Sequence, residues 1–238
     1  KSIIILKKKD KLNLFFKYIF FYLRYLSQLK KIYFNLLMIK NIKRIAFFGG
    51  SFDPITIAHL NIIKNIINKK LADEIIIVPC GPRKDKESLK TSSLHRFNMC
   101  KIAIQENFDK TFPLKIDDIE INKKEALSTI NLLSFYEKKY SSDSIYFVTG
   151  SDLLSEIPNW KVENKYTNWY KTKKIIIIKR PNFNIPIEWY NYNIEILENN
   201  SNINSTDERN KIKNNIYDDL FITNGVFNYI LNNNLYKN

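Results

Sequence analysis

Short apolar runs alternate with segments of helical periodicity from residue 42 onward, and this alternation limits the fold more than any other feature of the chain. The runs at residues 74–78 (EIIIV) and 144–148 (SIYFV) are apolar almost without interruption, which is typical of strands covered on both faces. Strands that alternate with helices at this spacing predict an α/β fold, with a Rossmann-like parallel sheet and helices on both of its faces.

The same pattern predicts the individual elements. Strands are predicted at residues 44–48, 74–78, 144–148, 175–178 and 192–197, with a further extended segment at 114–121. Helices are predicted at residues 55–68, 92–105, 126–139, 206–214 and 226–232. The Asn-rich segment 181–204 is poorly patterned, and we expect a surface excursion there.

The composition favours one compact domain in a reducing compartment. Of the 238 residues, 45% are hydrophobic, which is enough for one good core. Cys80 and Cys100 form neither a disulfide framework nor a CxxC metal-binding pair, so a cytoplasmic location is expected. The oligomeric state is open, and a homo-oligomer is compatible with the sequence.

The net charge of +14 is concentrated at the N-terminus. Residues 1–40 hold ten basic residues and a single acid, Asp10, whereas residues 41–238 hold 28 basic and 23 acidic residues. The larger part is therefore only mildly basic, and its charge alone does not indicate a nucleic-acid partner. We predict that residues 1–40 are a basic extension that need not belong to the fold, and that residues 41–238 form the domain.

The extension itself allows three interpretations. Lys17, Arg24, Lys30 and Lys31 divide its apolar residues into runs far shorter than the roughly 20 residues that cross a bilayer, so no membrane span is predicted. The extension is a basic amphipathic helix for a membrane surface, an acid-poor transit peptide for an organelle, or sequence upstream of a start at Met38.

The residues with chemical potential follow the predicted strands. Gly49-Gly50-Ser51 comes after the first strand, residues 79–86 after the second, and Gly150-Ser151-Asp152 after the third of the buried runs. In open parallel sheets ligands bind at the carboxyl ends of the strands, so these segments are expected to meet at one site.

Residues 49–59 (GGSFDPITIAH) combine two glycines with the start of a helix. Asp53 is a good N-cap and Pro54 suits a first turn, so the helix is predicted to begin immediately after the glycines. The free amides of that turn favour a phosphate, and Thr56 and His59 would share one face directed at it. The stretch is neither a P-loop nor a GxGxxG dinucleotide fingerprint.

A second helix start is predicted at residues 203–209 (INSTDER). Ser205 and Glu208 have the spacing of a capping box, and Thr206 and Arg209 would share the face of the first turn. A helix N-terminus with a hydroxyl and a guanidinium is suited to binding a triphosphate.

Both stretches resemble signatures of the nucleotidyltransferase superfamily. Residues 49–60 are similar to GxFDPxHxGH in its T-x-x-H variant, and residues 203–209 are similar to ISSTxxR. Ala58 and Asn204 depart from these patterns, standing where a glycine and a serine are usual. The resemblance implies a nucleotidyltransferase fold and the transfer of a nucleotidyl group from a nucleoside triphosphate, with release of pyrophosphate.

Three further segments resemble the bacterial-type nicotinate (nicotinamide) mononucleotide adenylyltransferases. Gly150-Ser151-Asp152 followed by Trp160 is similar to their GxD…W block, and Glu120 with residues 127–132 to their E-x…SxTxxTL segment. The loop at residues 78–86, followed by Arg96, is similar to theirs but lacks the usual PPHK. This resemblance implies transfer of the adenylyl group of ATP to nicotinic acid mononucleotide, which gives deamido-NAD and pyrophosphate in NAD biosynthesis, with Mg²⁺ accompanying ATP.

The resemblance also implies roles for individual residues, without a metal ligand among them. His59, Thr56 and Arg209 are expected to act in catalysis. ATP is expected to contact Gly49, Gly50, Ser51, Phe52, His59, Gly150, Asp152, Asn204, Ser205, Thr206 and Arg209. The acceptor is expected to contact Ser51, Phe52, Lys84, Thr129 and Trp160, with its pyridine ring stacked on Trp160.

Two alternatives remain beside this function. One is another adenylyl- or cytidylyltransferase of the same superfamily. The other is a basic RNA-binding protein whose Trp, Tyr and Lys side chains form a stacking groove; it predicts a steep salt dependence but gives no reason for the two helix starts. If the chain transfers the adenylyl group to nicotinic acid mononucleotide, no nucleic-acid partner is expected.

Overall fold

The computed structural model describes residues 2–40, 42–86, 89–141, 143–162, 165–166 and 168–237. The chain divides into two compact units, Lys1–Ile42 and Lys43–Asn238. The first unit consists of helix α1, Ser2–Lys40. Within the described residues, no helix combines the length and the apolar character needed to cross a membrane.

The second unit alternates strands and helices. Its elements are β1 (Arg44–Gly50), α2 (Ile57–Asn68), β2 (Glu74–Pro79), α3 (Ser93–Asn107), β3 (Leu114–Ile116), α4 (Thr129–Lys139) and β4 (Ser144–Gly150). They continue with the small antiparallel pair β5 (Lys161–Val162) and β6 (Lys165–Tyr166), then β7 (Lys174–Lys179), β8 (Ile194–Glu198), α5 (Ser205–Lys213) and α6 (Asn224–Asn232).

The six longer strands form one sheet in the order β3-β2-β1-β4-β7-β8, and every neighbouring pair is parallel. The predicted α/β class with a parallel sheet is confirmed. The chain moves outward from β1 to β3 on one side and from β4 to β8 on the other. A crevice therefore opens between the carboxyl ends of β1 and β4, where such folds bind their ligands.

Helices cover both faces of the sheet, which explains the uninterrupted apolar strands. Ala46 and Phe48 of β1 belong to the core beneath α2, α3 and α6, whereas Ile45 and Phe47 belong to the core on the other face, with α4. Successive strand residues point to opposite faces, so both sets must be apolar. Burial of each large side chain stabilises the fold by about 1.5–3 kcal/mol.

Helix α2 begins later than the sequence predicts. Its N-cap is Thr56 rather than Asp53, and its first residue is Ile57. Asp53 is instead buried in the preceding loop, where its carboxylate accepts a hydrogen bond from Tyr236, 183 residues further along the chain. The predicted cap at Asp53 and the predicted helix start at the glycines are therefore wrong, because a long-range partner takes the carboxylate.

Two other predicted boundaries are also shifted. Strand β3 ends at Ile116 rather than continuing to residue 121, and residues 119–122 form turns instead. Helix α4 begins at Thr129 rather than at residue 126, because the hydroxyl of Ser128 accepts from the N–H of Asn131 and caps it. The shift places Thr129 in the first turn of α4.

The segment 181–204 is not only a surface excursion. Trp189 is buried and packs against Tyr170 and Tyr192, with ring centroids 5.1 and 5.8 Å away. The predicted strand at residues 192–197 is present as β8. Packing of these aromatic rings fixes the Asn-rich segment to the sheet. Its polar composition did not predict this burial.

Candidate active site

A cavity of about 730 Å³ lies at the carboxyl ends of β1, β2, β4 and β7. It is lined by residues 49–53 at and after the end of β1, by residues 203–206 at the start of α5, and by polar residues that follow β4 and β7. Its size falls in the range of small-molecule sites, about 300–1,000 Å³. The strand-end segments singled out in the sequence thus meet at one place, as predicted.

His59 is held in one orientation by the start of its own helix. The main-chain N–H of Thr56 donates to Nδ1 of His59 at 3.0 Å, and the Thr56 hydroxyl lies 2.8 Å from the same nitrogen. A main-chain N–H can only donate, so Nδ1 is an acceptor and the neutral ring carries its proton on Nε2. His59 therefore offers an N–H donor to the cavity that it lines.

Burial, and then the positive charge of Arg180, lower the pKa of His59 to about 4. The imidazole is consequently neutral at pH 7 in the free protein. It therefore offers the cavity an N–H donor rather than a positive charge.

Thr56 lies beside His59, as the spacing predicts, but it does not face the cavity. It is buried and does not line the cavity, because its hydroxyl faces His59. Its hydroxyl therefore contacts His59 instead of the cavity, and the expected part of Thr56 in catalysis stays a prediction.

Helix α5 is capped differently from the prediction. The side chain of Asn204 is the N-cap and accepts from the N–H of Asp207 at 3.0 Å. Ser205 is the first helical residue, so the predicted capping box between Ser205 and Glu208 is wrong. Asn204, which departs from the usual serine, performs the capping that the motif needs.

Ser205 and Glu208 instead connect the two helix starts. The Ser205 hydroxyl donates to the carbonyl of Pro54 at 2.8 Å. The buried carboxylate of Glu208 accepts from the N–H of Phe221 at 2.7 Å, and the carbonyl of Phe221 accepts from the N–H of Ile57 at 2.8 Å. Both N-termini are thereby fixed relative to one another at the edge of the cavity.

Arg209 bridges the two sequence motifs. Its NH2 donates to Oγ1 of Thr206 at 3.3 Å, which confirms that the two side chains share one face of α5. Its NH1 donates to the main-chain carbonyl of Asp53 at 2.6 Å. Both Thr206 and Arg209 line the cavity, where they present a hydroxyl and a cation.

Asp152 follows β4 and faces Arg180, which follows β7. Arg180 NH1 donates to Asp152 Oδ2 at 2.8 Å, whereas the buried Oδ1 has no hydrogen-bond partner among the described residues. A Cβ on Gly150 would lie 2.1 Å from that Oδ1, so only glycine allows the carboxylate to fold back here. Arg180 was not predicted as a site residue, although its position directly after a buried strand indicates one.

Trp160 lines the cavity and is supported from one side. Its ring is nearly parallel to that of the buried Trp169, at 6.3 Å and 20°, and meets Phe147 edge-on at 6.5 Å. Thr129, in the first turn of α4, lines the same cavity. An indole ring fixed in this way, in one cavity with the N-terminus of α4, can bind a flat ring that carries an anionic group.

The loop after β2 contributes a lysine other than the one predicted. Lys84 lies on the surface, 3.1 Å from Glu125, and does not line the cavity. Lys86 does line it, and its Nζ donates to the Ser51 hydroxyl at 3.2 Å. Lys86 rather than Lys84 therefore lines the cavity, and a substrate contact of either lysine stays a prediction.

A buried arginine holds this loop in place. Arg96 of α3 donates to the carbonyls of Ser51 at 2.7 Å, Cys80 at 2.6 Å and Thr91 at 3.2 Å. One guanidinium therefore ties the ends of β1 and β2 together. Beside it, burial raises the pKa of Glu120, whose carboxylate accepts main-chain N–H bonds from this loop and from the start of the α4 region.

Most predicted site residues line the cavity together. They are Gly49, Gly50, Ser51, Phe52, His59, Thr129, Gly150, Asp152, Trp160, Asn204, Ser205, Thr206 and Arg209. In the described part of the chain, no three His, Cys, Asp or Glu side chains come together as a metal site. The other histidine, His95, does not line the cavity and is hydrogen-bonded to Tyr229.

Residues 47–211 match the protein family described as cytidylyltransferase-like. A relative from Clostridium botulinum (strain Okra / Type B1), named probable nicotinate-nucleotide adenylyltransferase, is 32% identical over 206 residues, or 81% of this chain and 98% of the relative. Plasmodium falciparum nicotinic acid mononucleotide adenylyltransferase complexed with NaAD is a structural neighbour with a TM-score of 0.69 and 29% identity, covering 82% of this chain and 97% of that one. The same enzyme complexed with APC gives a TM-score of 0.66 at 28% identity, with the same coverage.

Proposed function

The chain belongs to the cytidylyltransferase-like family and, within it, to the nicotinate-nucleotide adenylyltransferases, and on this basis we propose that it transfers the adenylyl group of ATP to nicotinic acid mononucleotide. The products are deamido-NAD and pyrophosphate, which makes the reaction a step of NAD biosynthesis. The relatives carry this activity in their names, and one structural neighbour is complexed with NaAD.

The observation that carries this proposal is the meeting of two helix starts at one cavity. The first turn of α2 supplies the neutral His59, and the first turn of α5 supplies Thr206 and Arg209. Helix N-termini, an N–H donor and a guanidinium together form a binding site for a polyphosphate. A plain nucleotide-binding groove would not require both motifs to be tied together through Asp53 and Pro54.

The reaction needs positioning more than acid–base chemistry. A phosphate oxygen of the acceptor attacks the α-phosphorus of ATP; a new P–O bond forms, the bond to the bridging oxygen breaks, and pyrophosphate leaves with the electron pair. Because the nucleophile is already anionic, no general base is required. In our proposal His59 donates its Nε2–H to the α-phosphate, while Thr206 and Arg209 hold the leaving phosphates.

The remaining residues divide between the two substrates. The unpartnered Oδ1 of Asp152 is an acceptor placed to bind a ribose hydroxyl of ATP, beside the glycine backbone of Gly150. Trp160 offers its cavity face to the pyridine ring of the acceptor, with Thr129 at the ring edge. In the loop after β2, Lys86 is the cation that contacts Ser51. We therefore assign to Lys86 the acceptor contact that was expected of Lys84.

Magnesium fits this site as part of the substrate. Of the carboxylates that line the cavity, Asp152 is ion-paired with Arg180 through one oxygen, and Glu120 accepts main-chain N–H bonds from its loop. We therefore propose that Mg²⁺ arrives bound to the phosphates of ATP and neutralises their charge. His59, Thr206 and Arg209 then act on the remaining phosphate oxygens.

The test is pyrophosphate release from ATP and Mg²⁺ with nicotinic acid mononucleotide as acceptor. Release that depends on this acceptor, with deamido-NAD as the second product, supports the proposal. Release that requires phosphopantetheine as the acceptor, or CTP as the donor, would favour another adenylyl- or cytidylyltransferase of the superfamily. Tight RNA binding with a steep salt dependence and no pyrophosphate would favour the RNA-binding alternative.

A further inference from the structure

Asp53, in the loop between β1 and α2, carries a carboxylate that is withdrawn from solvent, the residue being 3% exposed. The hydroxyl of Tyr236 donates to its Oδ1 at 2.6 Å. Its Oδ2 lies 3.9 Å from NH1 of Arg209, the same nitrogen that donates to the Asp53 carbonyl. A buried carboxylate is stable only when donors surround it, so Asp53 depends on these two residues.

Tyr236 reaches Asp53 from a turn that follows α6. Asn234 and Tyr236 have φ values of 51° and 66°, in the left-handed region that residues other than glycine seldom adopt. The N–H of Leu235 donates to the carbonyl of Ile230 at 3.0 Å and closes this turn. Strained backbone persists where its surroundings require it, and here the turn delivers one hydroxyl to the motif loop.

The hydroxyl remains a donor across the physiological range. Burial, and then the negative charge of Asp53, raise the pKa of Tyr236 far above its usual value. Arg209 stands between two acceptors: its NH1 bonds to the Asp53 carbonyl, while the Asp53 carboxylate at 3.9 Å is close but not hydrogen-bonded. A small movement would convert this approach into a direct ion pair.

We propose that Tyr236 is a positioning residue for ATP binding. By satisfying the Asp53 carboxylate, its hydroxyl keeps the Arg209 guanidinium directed to the cavity instead of onto that carboxylate. Without the hydroxyl, Oδ1 loses its donor, and the strong attraction between opposite charges in a buried site draws Arg209 inward. This inference rests on the proposed function only in taking Arg209 as a ligand of the ATP phosphates.

Tyr236→Phe tests the inference, because it removes one oxygen and retains the ring. Titration calorimetry with MgATP and no acceptor should give a Kd raised about 5- to 20-fold, and the KM for ATP should rise in parallel. The kcat at saturating ATP and the KM for the acceptor should stay within about twofold. A rise in acceptor KM equal to that in ATP KM would overturn the inference.

Tyr229→Phe is the matched control in the same C-terminal segment. The Tyr229 hydroxyl is hydrogen-bonded to Nδ1 of His95 at 2.9 Å and to Nδ2 of Asn98 at 3.0 Å, and neither residue touches Asp53. Both variants should lose similar thermal stability, but only Tyr236→Phe should weaken ATP binding. Equal ATP Kd values for the two variants would mean that the Tyr236 contact is structural only.

A double-mutant cycle separates positioning from packing. In an Asp53→Asn background the neutral side chain no longer competes for Arg209, so Tyr236→Phe should change the ATP Kd by less than about twofold. An undiminished effect in that background contradicts the inference. This cycle measures ATP binding only. A wild-type protein that binds ATP but does not adenylylate nicotinic acid mononucleotide would therefore contradict the proposed acceptor and not the inference about Tyr236.

Discussion

The main-chain N–H of Thr56 donates a hydrogen bond of 3.0 Å to Nδ1 of His59, so the first turn of α2 selects the tautomer of its own histidine. The proton is left on Nε2, the nitrogen available to a phosphate. In this way a cap at a helix start also orients a reactive ring, and no separate carboxylate is needed for that purpose.

The first prediction is that His59→Ala lowers kcat by roughly a hundredfold or more, with modest changes in KM. Charge on the transferring phosphate grows in the transition state, so a lost donor affects kcat more than binding. Steady-state kinetics with ATP and nicotinic acid mononucleotide measure this. His95→Ala is the control, because His95 is the chain's other histidine and bonds to Tyr229 away from the cavity. Near-normal kcat in His59→Ala would remove His59 from the mechanism.

The second prediction concerns the protonation of His59 in the free protein. Its pKa of about 4 lies below the value of about 6.5 that applies in the unfolded chain. The unfolded state therefore takes up the proton first, and the contribution of His59 to stability, fully present above pH 6.5, is lost as the pH falls towards 4. The loss is on the order of 3 kcal/mol.

Proton–carbon NMR of the two histidine rings checks this directly, and His59→Gln identifies the His59 signal. The His59 signal should titrate near pH 4 in the absence of ligand. Urea unfolding at pH 7 and pH 5 should show a smaller loss of stability for His59→Gln than for the wild type. A midpoint near 6.5 would mean that the ring is solvated and that Arg180 does not act on it.

Which side chains share one face of a helix or one edge of the sheet could be predicted from the sequence. Thr206 and Arg209 are three residues apart on one helix, so their shared face followed from helical geometry alone. The convergence of Gly50 and Gly150 at one sheet edge likewise followed from the parallel strands. These features depend on local periodicity and on the rules of sheet topology.

Contacts between segments that are far apart in the chain could not be predicted from the sequence. The choice of Thr56 over Asp53 as the cap of α2 depends on Tyr236, which lies 183 residues away from Asp53. Likewise, whether Lys84 or Lys86 faces the cavity depends on how a loop is held by the buried Arg96. Composition and periodicity contain no information about such partners.

The third prediction compares these two lysines. Lys86→Ala should raise the KM for the acceptor about 5- to 20-fold, because it removes a cation that lines the cavity beside Ser51. Lys84→Ala should leave both KM values unchanged, since its exposed ion pair with Glu125 contributes at most about 1 kcal/mol to stability. Steady-state kinetics at fixed ionic strength measure both variants. A larger effect from Lys84→Ala would reverse the assignment.

The fourth prediction is that residues 1–37 are not needed for catalysis. The cavity is lined by residues between Phe47 and Arg209, and the compact unit that holds it begins at Lys43. A protein that begins at Met38 should therefore show wild-type kcat and KM values. The thermal unfolding midpoint should also be unchanged. An inactive or insoluble product would indicate that α1 supports the domain.

The last prediction is a preference for nicotinic acid mononucleotide over the nicotinamide form. The two acceptors differ by a carboxylate against an amide at the edge of the pyridine ring. Stacking on Trp160 binds both rings alike and does not discriminate. The choice must come from donors at the ring edge, which the start of α4 at Thr129 is placed to supply.

A site that offers donors and few acceptors leaves the NH₂ group of the amide unpaired. The cost is about 1–3 kcal/mol, or roughly 5- to 150-fold in kcat/KM. Measuring kcat/KM for both acceptors with ATP and Mg²⁺ tests this, and Thr129→Val should narrow the ratio by removing one hydroxyl. Trp160→Ala should instead raise both acceptor KM values and leave their ratio unchanged, since stacking is blind to the substituent. Equal kcat/KM values for the two acceptors in the wild type would overturn the preference and leave the adenylyl transfer intact.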